Sequence, residues 1–232
     1  MKTTIDIILI VYAVLMAISL FFYIPRMLYW FEPLKKHKKY VNESKSKIAI
    51  VIPAKNESKC IGRLLSSIAS QTYDRDYFDV FVIVDDEKDK TVEIAKTIIP
   101  NVNISIVKGQ KCKGDALDGC IKEMLSSGYK CDYVSIIDAD NVLDKDYLKE
   151  INNAIASNRD IIVSNRRNLN LEYNGKKGVN NWVSNCSGLT HAFQNELGNF
   201  FRSEHDMPLT FTGSGLNIRY SIFRTLGGGV AV

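Results

Sequence analysis

Asp138 and Asp140 stand two positions apart in VSIIDADN (134–141), where an apolar run ends. In an extended segment, side chains at i and i+2 project to the same side. Two like charges held that close are costly unless a cation or a hydrogen-bond donor answers them. Hard divalent ions such as Mg²⁺ and Mn²⁺ choose carboxylate oxygen, usually one or two carboxylates with phosphates completing the shell. The pair therefore suits a metal–diphosphate. It also suits an Asx-type turn that starts a helix in the following NVLDKDY segment, and so short a motif leaves both readings open.

Other polar residues fall in comparable places. Glu57 lies in PAKNES (53–58), Asp85 opens DDEKDKT (85–91), and Lys113 lies in KGQKCKGD (108–115). Each segment follows a short β-branched run, IAIVIP (48–53), FDVFVIVD (78–85) or VNISIV (102–107), just as YVSIID (133–138) leads into DADN. DIIVS (160–164) reads as a fifth strand. Between the runs, Ile61, Leu64, Leu65 and Ile68 recur at helical spacing, and similar patterns cover Thr91–Ile98, Ala116–Leu125 and Tyr147–Ile155. Strands apolar on both faces, alternating with helices, predict an α/β fold with a mostly parallel sheet covered on both sides. Ligands of such sheets bind outside the carboxyl ends of the strands, where all four polar segments lie. The first turn carries neither GxGxxG nor a Walker loop, which excludes the dinucleotide and P-loop readings.

In this order and spacing, IVIPAKNES, VIVDDEKDKT, KCKGDAL and IIDADN resemble the family 2 glycosyltransferases, inverting enzymes of GT-A (Rossmann-like) fold that use nucleotide-activated sugars. The resemblance runs from Ile48 to about Gly228. It implies that Pro53, Ala54 and Glu57 line the nucleotide pocket, with Glu57 near the ribose. Asp85 would accept from the imide N–H of the base, typically uracil, although it could instead cap the next helix. Lys113, in the K-x-x-A-L position, would reach the nucleotide. In the DXD motif Asp138-Ala139-Asp140, Asp138 would face ribose and metal, and Asp140 would ligate the Mn²⁺ or Mg²⁺ directly. Two features depart from the family pattern: Cys112 replaces the usual glycine before the lysine, and DDEKDKT is more charged than usual. The spacing of Asp89 and Thr91 in that loop still matches.

Further on, LTFTGSGLNIRYSIFRTLGG (209–228) resembles the acceptor-side segment, a small-residue loop followed by a short helix. Gly213, Ser214 and Gly215 would let a sugar approach the backbone closely. Trp182, Phe193, Phe200 and Phe201 are expected in the core or on a membrane-proximal face, with an acceptor platform as the alternative. The reaction implied is metal-assisted transfer of a sugar from a nucleotide diphosphosugar to an acceptor hydroxyl, with inversion. The family's general base is an aspartate beyond the Gly-Gly segment; this sequence ends at LGGGVAV, and Glu204 and Asp206 lie too early to match it. The expectation is a truncated form, or one completed by a second polypeptide, that as given binds a nucleotide sugar weakly and turns it over poorly or not at all. A non-catalytic nucleotide-sugar binder is the alternative. A nucleotidyltransferase would open on a Gly-rich loop, and PAKNES has no glycine.

The N-terminus is a different material. Ile7–Ile24 is 18 residues without a charge, about 27 Å as a helix and close to the hydrocarbon thickness of a bilayer. FFYIPRMLYW offers no small-x-small cleavage site, which favours a retained anchor over a signal peptide. Tyr23, Tyr29 and Trp30 match interfacial aromatics, and Arg26, Lys35, Lys36, Lys38 and Lys39 follow. The positive-inside rule then places the remainder in the cytoplasm, as a single-pass protein of the cell membrane. The expected organisation is an anchor over 5–30, a basic linker over 31–47 and a GT-A domain over 48–232, its donor part 48–141 and its acceptor part 142–232. An anchor hints at a lipid or glycan acceptor at the membrane. A net charge of +4 is too mild to imply nucleic acid, and the five scattered cysteines read as reduced thiols.

Overall fold

The computed structural model describes residues 2–28, 39–167, 172–173, 176–177, 182–211 and 213–226. Tyr29, Trp30, Lys35, Lys36, Lys38 and the terminal glycines therefore lie outside the described residues. The chain divides into two compact units, one of Lys39–Asn165 with Phe211–Val232, the other of Met1–Lys38 with Arg166–Thr210.

The first unit is built on a six-stranded sheet of spatial order β3 (Asn103–Ile106), β2 (Phe78–Val84), β1 (Ile48–Pro53), β4 (Tyr133–Ile136), β8 (Leu216–Arg219), β5 (Ile161–Val163). Strands β1, β2, β3 and β4 run parallel. Helices α2 (Ile61–Ala69), α3 (Lys90–Ile98), α4 (Lys113–Ser126) and α5 (Tyr147–Ile155) connect or follow them. Strand alternation sorts the core into two layers. Ile48, Ile50 and Ile52 pack with Leu64, Leu65, Ala95 and Leu148 on one face; Ala49 and Val51 pack with Leu117, Ile121 and Met124 on the other. Helix α2 buries all four residues of its predicted stripe, Ile61, Leu64, Leu65 and Ile68. Each such burial is worth about 1.5–3 kcal/mol, so this helix anchors one layer.

The sheet departs from expectation at its far edge. The segment after Gly215 was expected to form a loop and a short helix; it forms strand β8 (Leu216–Arg219) before helix α8 (Tyr220–Thr225). Strand β8 runs antiparallel between β4 and β5 (Ile161–Val163), separating two strands that would otherwise be neighbours. The insertion is stabilised by a buried polar knot. Asn217 is fully buried, and its amide donates to the Ile162 carbonyl (3.1 Å) and Ser164 Oγ (3.1 Å). The buried Tyr147 hydroxyl meets Ser135 Oγ (3.1 Å), Ser164 Oγ (3.1 Å) and Asn217 Oδ1 (3.4 Å). Burial pushes that phenol's pKa up, so it stays a neutral donor.

In the second unit, α1 (Lys2–Leu28) contains a segment, Ile5–Ile24, long and apolar enough to cross a bilayer. A short hairpin pairs β6 (Glu172–Tyr173) with β7 (Lys176–Lys177). Helix α6 (Trp182–Ala192) continues through a π-helical stretch, Phe193–Asn199, into α7 (Phe200–Glu204). Of the aromatic residues expected in a core or on a membrane face, Phe201 is buried, whereas Trp182 is 79% exposed and Phe193 is 44% exposed.

Candidate functional site

Polar loops meet at the carboxyl ends of the parallel strands. The segments after β1, α4's first turn and the turn after β4 line a cavity of about 410 Å³, within the ordinary range for small-molecule sites. Its wall holds Pro53, Ala54, Glu57, Lys113, Asp138, Ala139 and Asp140, all named from the sequence. Lys55, Gln110, Lys111 and Cys112 also line it and were not anticipated as site residues. Lys55 escaped notice because a lysine in a polar loop has no signature of its own.

The Asp138–Asp140 pair differs locally from its expected geometry. Strand β4 ends at Ile136, and the Asn141 amide donates to the Asp138 carbonyl at 3.1 Å, closing a turn. The two carboxylates are thus carried by a turn rather than by an extended segment. The rival reading, in which they start a helix, fails as well: α5 begins only at Tyr147. The turn is tied to the amino end of β8. Ser214 Oγ, almost fully buried, accepts from the Asp138 amide (3.0 Å) and from Asn141 Nδ2 (2.5 Å). Lys113 Nζ sits 2.5 Å from Asp138 Oδ1 and also donates to the Gly213 carbonyl. The donor that answers Asp138 is therefore Lys113. Asp140 is exposed and makes no hydrogen bond or ion pair with another described residue.

Asp85, expected to bind the base, is not among the residues that line the cavity. Its Oδ2 pairs with Lys55 Nζ at 2.8 Å and its Oδ1 accepts from the Gly109 amide at 2.8 Å, so it laces three loops together. The Lys55 hydrogen bond, reinforced by the Gly109 and Gln110 amides, holds its carboxyl below the usual range. Asp85 does not cap α3. That role belongs to Asp89, whose Oδ1 accepts from the Thr91 amide (2.9 Å) and hydroxyl (2.6 Å). Asp89 Oδ2 also takes the Asn56 amide at 2.7 Å, fixing a residue whose φ is 60° and joining the first loop to the second.

Three smaller features shape the rim. Cys112 adopts φ −143° and ψ 170° before α4, an extended conformation open to any side chain, so the missing glycine leaves the turn intact. Asp115 reaches back to the Lys111 amide (2.9 Å) and the Cys112 amide (3.3 Å), which fixes Lys113 at the start of the helix. Glu57 Oε2 accepts from Cys60 Sγ at 2.8 Å; burial first, then that bond, pushes the thiol up to about 11 and keeps it protonated. Of the three residues expected on the acceptor side, Ser214 is buried beneath the turn, and Gly213 and Gly215 both adopt φ +75°. A Cβ on Gly215 would come within 3.1 Å of the Ser164 Cβ.

A divalent metal fits this donor set. Asp138 and Asp140 offer hard carboxylate oxygens on one cavity wall, the chemistry that Mg²⁺ and Mn²⁺ select. Among the described residues no group of three or more His, Cys, Asp or Glu side chains could hold an ion. The fit is therefore to a cation that completes its shell with ligand oxygens and water.

The parallel sheet with its antiparallel insertion and edge site is the GT-A fold. The model of the glycosyl transferase family 2 matches residues 49–219, and the chain belongs to that family. The mannosyltransferase PcManGT of Pyrobaculum calidifontis, solved with GDP-Man and Mn²⁺, superposes with a TM-score of 0.63 at 19% identity, over 93% of this chain and 58% of its own. Residues 1–349 of Staphylococcus aureus TarS superpose with a TM-score of 0.51 at 18% identity, over 77% of this chain and 48% of that one. In sequence, the poly(ribitol-phosphate) β-N-acetylglucosaminyltransferase TarS of Staphylococcus aureus is 25% identical over 104 residues, 45% of this chain and 18% of the relative. The chain thus spans under a fifth of that curated relative's length.

Proposed function

We propose that this chain carries the donor site of a glycosyltransferase that moves a sugar from a nucleotide diphosphosugar, a UDP-sugar first, to an acceptor hydroxyl with inversion. The observation that carries the reading is the shared cavity wall of Asp138, Asp140 and Lys113 at the carboxyl edge of the sheet. Two carboxylates and one lysine are what a metal-bound diphosphate needs: oxygen ligands for the cation and a positive charge for the phosphates. The family membership supports the reaction class, and the similar mannosyltransferase solved with GDP-Man and Mn²⁺ supports the donor and metal class.

Each residue then has a task. Asp140, exposed and open, ligates the cation, and Asp138 shares it while facing the ribose. Glu57 and the backbone at Pro53–Ala54 shape the nucleoside end. Asp85 accepts from the base once Lys55 shares or yields its carboxylate. Lys113 steadies the diphosphate, which lowers the entropic part of the barrier by fixing the leaving group. A divalent metal held by Asp140 and Asp138 would supply Lewis-acid neutralisation of the charge on the departing diphosphate. Ile5–Ile24 anchors the chain in a membrane, with the sheet unit on the cytoplasmic side and a lipid or glycan acceptor nearby.

Thermal-shift titration with UDP, GDP and CDP, each with Mn²⁺ and with EDTA, tests the reading. A stabilisation by one nucleoside diphosphate that depends on Mn²⁺ is expected, with the strongest response to UDP. The absence of any Mn²⁺-dependent response would remove the donor site.

A further inference from the structure

Lys113 already sets a positive charge against Asp138. Its ammonium stands 2.5 Å from Asp138 Oδ1 and is held there by a second bond to the Gly213 carbonyl. Asp140, two residues on, makes no such pairing among the described residues. The two carboxylates are therefore unequal before any ligand arrives, one already neutralised and one open. A divalent ion approaching both must either sit beside an ammonium or displace it, and like charges at such range disfavour the charged state.

We infer that Lys113 is an exchange residue: it stands in for the divalent cation on Asp138 until a diphosphate draws its ammonium away and opens the carboxylate to the metal. Metal and diphosphate then bind as a pair, each raising the affinity for the other. The exchange needs little motion, because Lys113 is the first residue of α4 and lines the same cavity as both aspartates. Charge balances throughout. Before binding, the lysine answers Asp138; afterwards, the metal answers both carboxylates and the lysine answers a phosphate. Reciprocity follows from linkage, so the factor by which UDP tightens Mn²⁺ equals the factor by which Mn²⁺ tightens UDP. Both partners of the ion pair are about one-third exposed, Lys113 at 31% and Asp138 at 35%. Solvent screening therefore keeps the effect at about tenfold, toward the lower end of the usual coupling between sites.

The inference rests on the donor-site reading above, and the test separates the two. Mn²⁺ binding to the full chain is followed by the electron paramagnetic resonance signal of free Mn²⁺, without nucleotide and with saturating UDP or GDP. For the wild-type protein, weak binding of Mn²⁺ alone and about tenfold tighter binding with nucleotide are expected. Lys113→Gln and Lys113→Met should bind Mn²⁺ alone about tenfold more tightly than wild type, with a smaller further gain from nucleotide. Lys113→Arg, which keeps the charge, should bind Mn²⁺ alone as weakly as wild type. Wild-type affinity for Mn²⁺ that is unchanged by nucleotide overturns the exchange without any variant. So do neutral variants no tighter than wild type, even when Mn²⁺ and nucleotide still bind together. If no nucleotide binds with Mn²⁺ at all, the donor-site reading falls, and the exchange with it.

Discussion

Ser214 Oγ accepts the Asp138 amide at 3.0 Å across 76 residues of chain, so the turn that carries the candidate metal ligands is fastened to the antiparallel strand, not only to its own. Strand β8 therefore does more than fill the sheet between β4 and β5. Its amino end supplies the hydroxyl that fixes the turn, while the carbonyl of Gly213 receives Lys113. The position of the carboxylates depends on a residue far away in sequence.

Replacing that hydroxyl should loosen the turn. Ser214→Ala leaves the Asp138 amide and the Asn141 side chain without their acceptor, in a place too buried for easy hydration. The expected loss is about 1–3 kcal/mol of stability, with weaker Mn²⁺–UDP binding alongside. Thermal denaturation and a UDP titration on the same sample check both; a stability loss with unchanged affinity would make Ser214 purely structural.

The two glycines flanking Ser214 should respond unequally. Both have φ +75°, where an L side chain is strained. Only Gly215 also faces a close neighbour, the Ser164 Cβ at 3.1 Å, while a Cβ on Gly213 would meet Lys113 Nζ at an ordinary 3.6 Å. Gly213→Ala should cost about 1 kcal/mol and Gly215→Ala more, toward the 3 kcal/mol end of the range for backbone strain. Urea unfolding midpoints of the two variants give the order directly, and equal midpoints would contradict it.

Asp89 predicts a pH dependence. Burial alone would raise its pKa, but the Thr91 hydroxyl and the Thr91 and Asn56 amides outweigh it and hold the carboxyl below its ordinary value. A group depressed on folding contributes stability above its unfolded pKa of about 3.9 and loses it as pH falls through the lower folded value. Asp89→Ala should therefore cost about 0.5–2 kcal/mol at neutral pH, the usual worth of a helix cap. The gap from wild type should close as the pH is taken below the aspartate range. Chemical denaturation at pH 7 and at acid pH measures it, and a gap that persists in acid would contradict the assignment.

Much of this site was legible because its parts follow strands. The run IAIVIP is short, β-branched and apolar at every position, as a strand covered on both faces is, and alternation with helices put the loop after it on the ligand edge. The stripe Ile61, Leu64, Leu65 and Ile68 was equally plain. Strand β8 was hidden because Asn217 interrupts its apolar pattern, and only the knot with Tyr147 and Ser164 makes that amide admissible in a core. Turn geometry at Asp138–Asn141 was hidden for a related reason: its closing bond is main chain to main chain and leaves no mark on residue types. The clamps of Lys55 on Asp85 and Lys113 on Asp138 join loops distant in sequence, so no local pattern announces them.

The metal bridge itself is tested by Asp140→Ala, the change least entangled with folding, since Asp140 is exposed and bonds to no other described residue. Calorimetric titration of UDP with Mn²⁺ and with EDTA should show wild-type affinity raised by the metal by about tenfold. The variant should melt like wild type and lose that gain. An Asp140→Ala protein that keeps the full Mn²⁺-dependent gain would contradict the bridge between these carboxylates and a diphosphate.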